Sequence, residues 1–117
     1  MSNSLSGREV RRLSLNTAAT DVELVAAVAG VTVYVHGLVL TSAVVPNIVS
    51  LQSDGSSDTE LLSLQFAIDT SGGIPPVVLP ISDVPWVQTL AGEALDLRAS
   101  DGTGVDGVLV YTTGRER

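Results

Sequence analysis

The sequence predicts an all-β protein: an antiparallel β-sandwich, jelly-roll-like, of about eight short strands. Three observations lead there. Valine, leucine and isoleucine supply 37 of the 117 residues, and only four residues are aromatic. Branching at Cβ suits a pleated sheet better than a helix. Apolar and polar residues alternate with a period of two in several short runs. Those runs recur roughly every 8–12 residues between Gly, Pro and Asp turns, the spacing of a sandwich or barrel. A chain of this length makes one domain and buries roughly two thirds of its unfolded surface, enough for a core without cross-links.

The elements follow in order. Residues 1–7 are small and polar, and Val10, Leu13 and Leu15 start an extended segment. Asp21–Val28 fits two structures. Thr20, Glu23 and Gly30 resemble the cap and stop of a helix, but the same letters fit a strand entering a tight turn. The immediate onset of the next strand favours a hairpin turning at Gly30. Val31–Thr41 is the clearest strand: Val31, Val33 and Val35 alternate with Thr32, Tyr34 and His36. That phase puts His36 on the half-exposed face. Pro46–Ser53 places Ile48 on one face and Val49 and Leu51 on the other. Leu61–Ile68 turns Leu62, Leu64, Phe66 and Ile68 one way, and Ser71–Gly73 is a turn. Ile74–Ile81 carries Pro75, Pro76 and Pro80, which confines it to an edge. The apolar positions of Val87–Leu95 fit a helical face, but Gly92 weakens such a helix by about 1 kcal/mol, so turn plus strand is preferred. Ala94–Ala99 points Leu95 and Leu97 inward. Val105–Thr112 closes the fold, with Val108 and Val110 opposite Leu109 and Tyr111. Residues 1–19 thus form an N-terminal arm, partly extended and basic, and residues 20–117 the sandwich.

Charge and composition exclude much. Thirteen acidic residues against six basic ones give a formal charge of -7, a field that repels nucleic acid and anionic membranes. No apolar run reaches the roughly 18 residues that span a bilayer, and the first twelve residues lack a signal-peptide apolar stretch. The mean hydropathy is nevertheless positive, which points to apolar surface covered by other protein chains. All six cations are arginine. Arg8, Arg11 and Arg12 against Glu9 make the first twenty residues net +2. A basic arm on an acidic body is suited to docking on an acidic partner surface.

Candidates for chemistry are few. There is no cysteine, so no disulfide, thiolate nucleophile or Cys metal site. The single histidine, His36, reaches a metal or catalytic cluster only by meeting its own copies around a symmetry axis. Asp54, Asp58 and Glu60 gather hard oxygen ligands in one loop, a weak calcium pattern that matches no EF-hand. Gly102, Gly104 and Gly107 have G-x-G-x-x-G spacing, but they precede a strand rather than a helix, so no phosphate cradle follows. No Ser-His-acid set or paired-carboxylate cleft is present, and one histidine cannot furnish a cupin-like metal enzyme. The chain is expected to be no enzyme and to hold no cofactor.

One ordered pattern remains. Gly72–Gly73 and Val77–Pro80 lead into Trp86, Thr89, Gly92, Glu93, Ala94, Leu95 and Leu97, and then into Gly107, Leu109 and Tyr111. With the apolar strand after Gly30, this resembles small virion proteins of tailed bacteriophages, which carry W-F-x-T-x-x-G-E-A-L-x-L followed by G-x-L-x-Y. The similarity covers about residues 20 to 112. Val87 stands where the family has an aromatic, and the basic arm lies outside the pattern. The resemblance implies a sandwich that decorates or cements a capsid from its outer surface, binds the major capsid protein, associates as a homotrimer and is made in the host cytoplasm. Arg8, Arg11 and Arg12 would then be the docking arm, while Trp86, Leu95, Leu97 and Tyr111 would hold the fold. A head-fibre, neck or tail accessory protein, or a host-receptor-binding sandwich, is the alternative.

Overall fold

The computed structural model describes residues 9–15, 21–43, 47–55, 58–100 and 105–115. Among them there is no helix, and nine strands form two antiparallel sheets. The strands are β1 (Glu9–Leu15), β2 (Asp21–Val25), β3 (Val31–Thr41), β4 (Asn47–Asp54), β5 (Asp58–Phe66), β6 (Val77–Leu79), β7 (Val87–Gln88), β8 (Ala94–Ala99) and β9 (Val105–Arg115). The first sheet runs β1-β9-β3-β6, with β7 also on β3; the second runs β2-β8-β4-β5. Successive strands from β1 to β4 fall two by two into different sheets, and β8 and β9 return between them. That is jelly-roll connectivity.

Inward residues of both sheets make one core. Val33, Val35, Leu38, Leu40, Val105 and Leu109 meet Leu24, Val49, Leu51, Phe66, Leu95 and Leu97. Alternation predicts nearly all of these positions. The one phase change is a bulge in β3 between Val35 and Gly37. It lets Val33 and Val35 before it, and Leu38 and Leu40 after it, face the same core.

Three local expectations are corrected. Asp21–Val28 and Val31–Thr41 do not form a hairpin: β2 pairs with β8, β3 with β9. The Gly30 turn, with φ 74, carries the chain from one sheet to the other, so its flanking strands cannot pair. Ile68 does not share the inward face of Phe66, because β5 ends at Phe66 and Ile68 lies exposed beyond it. The basic segment is a strand rather than a loose arm where it is described: Glu9–Leu15 lies on β9 in continuous register from Glu9↔Tyr111 to Leu15↔Val105.

Candidate functional site

The two sheets turn very different outer faces to their surroundings. Residues directly opposite across neighbouring strands share a face. On the first sheet Val10 pairs with Val110, and Val39 lies between Val108 and Val78. Arg12 stands beside Val108 at the β1 edge. Ile81 extends the patch against Gly37, where a Cβ would crowd it. Val10, Val39, Val78, Ile81, Val84 and Trp86 are between 41% and 73% exposed. This is an apolar surface built by one sheet face and one loop, with an arginine at its border.

The loop is fixed from below by His36. The ring faces outward, as alternation requires, but residues 80–86 lie over it and leave it fully buried. The expectation of a half-exposed histidine is therefore wrong in exposure and right in direction. Nδ1 lies 2.8 Å from the Ser82 carbonyl oxygen and Nε2 lies 2.9 Å from Thr112 Oγ1. A carbonyl only accepts, so Nδ1 carries the proton, and the neutral ring's Nε2 accepts from the Thr112 hydroxyl. Backbone bonds from Ser82 N to His36 O and from Trp86 N to Val35 O pin both ends of the loop. Thr89 continues the seam: its N–H donates to Val33 O and its Oγ1 accepts from Val33 N.

Trp86 is not a core residue. Val87, its neighbour, packs against the core, so a period of two turns Trp86 outward. It is 47% exposed and its indole Nε1–H donates to the Pro80 carbonyl at 2.8 Å. It does hold the proline loop, by that bond rather than by burial. Leu95 and Leu97 are fully buried, and Tyr111 packs partly buried against the core, where desolvation raises its phenol above the usual range. Arg11 and Arg12 are exposed on β1. Arg8, Gly102 and Gly104 lie outside the described residues.

The outer face of the second sheet is acidic. Asp21 and Glu23 of β2, Asp96 of β8, Asp54 of β4, and Asp58 and Glu60 of β5 share it by register. Arg98 is the one cation among the described residues of these four strands; it reaches Asp58 at 2.7 Å and Asp21 at 3.4 Å. The Arg98 hydrogen bond holds the exposed Asp58 carboxyl below its usual range. Asp96 behaves oppositely. It is 5% exposed, and its Oδ1 has no hydrogen-bond partner. Burial first, then Asp54, Asp21 and Glu23, push it up to about 7. Sequence reading missed this residue because its spacing places it in an ordinary strand; the signal is the register that sets Glu23 and Gln52 on either side of it. Asp54, Asp58 and Glu60 thus belong to a sheet face more than to a loop. Among the described residues no group of three His, Cys, Asp or Glu side chains is arranged to hold a metal ion. Compared with known proteins, the chain matches no family model and finds no match among curated proteins.

Proposed function

We propose that this protein is a structural, non-catalytic virion protein that decorates and stabilises a bacteriophage capsid by binding the major capsid protein lattice as a homotrimer. The observation that carries the reading is the exposed valine face of the first sheet, bordered by Arg11 and Arg12 on the β1 edge. Contiguous apolar surface on a small domain marks a protein contact. Burying it yields roughly 25 cal/mol per Å² before the costs of association. The arginines steer the approach to an acidic shell surface, and three linked copies multiply modest single contacts. The motif around Trp86–Leu97 and Gly107–Tyr111 supports the same reading. The mechanism is bridging: one oligomer touches several capsomers, so shell expansion must break several contacts together.

The test is co-sedimentation with undecorated shells. Val39→Asp with Val78→Asp should cut binding by roughly a hundredfold while the circular-dichroism spectrum stays β-rich, since both side chains are already exposed. Arg11→Glu with Arg12→Glu should weaken it and remove its salt dependence. These substitutions test the basic segment more cleanly than truncation, which would strip an edge strand from β9. Full binding by both variants would refute the proposal. The exposed indole of Trp86 favours one other reading, a receptor-binding sandwich that stacks its ring on a saccharide.

A further inference from the structure

The acidic face of the second sheet is not needed for shell binding, yet it contains the least comfortable side chain in the described structure. Asp96 sits in mid-strand with its carboxyl removed from water and Oδ1 unpartnered. Every neighbouring element presents it with negative charge or with nothing to donate. From β2 come Glu23, directly opposite, and Asp21. From β4 come Gln52, directly opposite, and Asp54, whose side chain is within hydrogen-bonding reach of Asp96. The Gln52 amide donates to Ser50 at 2.8 Å and so is turned away from Asp96. From β5 come Asp58 and Glu60. On β8 itself Arg98 is spent on Asp58 and Asp21, and Glu93, just before the strand, accepts from Ser53. A buried carboxylate without a donor, in the field of this many acids, is untenable as an anion. A neutral carboxyl donating its proton to Asp54 is not.

We infer that Asp96 and Asp54 share one proton and form a pH-sensitive latch across β8 and β4, closed while the pair carries a single charge and loosened when it carries two. The pair lies at the end of the ladder where Asp54 faces Ala94. There Ser53 also accepts from Leu90 N and donates to Glu93. Ionisation of Asp96 therefore strains the corner that joins β4 to the turn between β7 and β8.

The direction of the effect is fixed. The folded chain keeps the proton on Asp96 up to about pH 7, whereas the unfolded chain loses it near 3.8. Between those limits the folded state binds more protons, so stability falls as pH rises and levels off above the upper limit. On the acid side Asp58 and Asp69 act oppositely: their lowered carboxyls favour the fold above the ordinary range and cease to do so as pH drops below it. The interval from about pH 5 to about pH 7 thus reports on the latch.

The experiment is thermal and urea unfolding of the full chain across about pH 5 to about pH 8.5, for wild type and Asp96→Asn. The wild-type folding constant should fall about tenfold per pH unit through the interval and then flatten. Asp96→Asn, neutral at every pH, should lack that fall and melt above wild type at the alkaline end. Comparing the two profiles cancels whatever His36 on the other sheet adds. Asp54→Asn should move the wild-type fall to lower pH. A carbon-detected NMR titration of the Asp96 carboxyl in the unmodified protein gives the same answer if a variant fails to fold. An Asp96 resonance that titrates near the ordinary carboxylate value, or parallel profiles for wild type and Asp96→Asn, overturns the inference. Neither result bears on shell binding, which the valine-face variants decide.

Discussion

His36 shows how one side chain can organise a loop. A buried imidazole is tolerated only when both nitrogens are matched, and here a carbonyl and a hydroxyl from opposite sides match them. The ring ties the loop over the outer face to β9, with two backbone bonds beside it. His36→Ala leaves the Ser82 carbonyl unpaired and opens a cavity. It should cost about 3 kcal/mol in urea denaturation and expose the loop to proteolysis. A loss below about 1 kcal/mol would mean that the loop is held by its backbone bonds alone. Trp86 makes the complementary point. Its indole proton is used on Pro80, yet its ring remains open, so its contribution to folding is small beside that of Leu95 or Leu97.

At the scale of the element, β9 is the strand on which the first sheet depends, because it pairs with β1 on one side and β3 on the other. Gly107 lies at that crossing, where a Cβ would collide with the Val39 carbonyl oxygen. The collision is with backbone and cannot be relieved by a rotamer. Gly107→Ala should therefore destabilise by about 3 kcal/mol and lower the melting temperature by roughly 10 °C. An unchanged melting temperature would show that the β3–β9 spacing yields. This glycine was readable in the sequence as a close-approach position within the closing strand. The strands were readable too wherever one face is buried: Val31–Thr41, Asn47–Ser53 and Ala94–Ala99 have the alternation that the structure shows. The Gly30 turn was not, since a sheet-to-sheet crossing and a hairpin demand the same positive φ and differ only in distant partners. His36 was half legible. Periodicity gives the direction of a side chain, but its burial depends on a loop more than forty residues away.

For the whole molecule, the sequence motifs and the two dissimilar faces combine into one account. The jelly-roll order places the valines of four strands and one loop on one side and the carboxylates of four other strands on the other. An apolar, arginine-bordered face is suited to being covered, and an acidic face to remaining in water. Asp96 was illegible in the sequence for the same reason: its isolation comes from four strands brought together by topology, while its own segment, Ala94–Ala99, reads as a plain amphipathic strand. The account's central claim is that the valine face is covered by a viral shell. Cryo-electron microscopy of intact virions of the phage that encodes this chain tests it most directly. The account predicts three-fold density on the outer shell, with Val39 and Val78 turned toward the major capsid protein and Asp96 toward solvent. Particles without this protein on the shell, or with it only at a fibre or tail tip with Trp86 outermost, would contradict it.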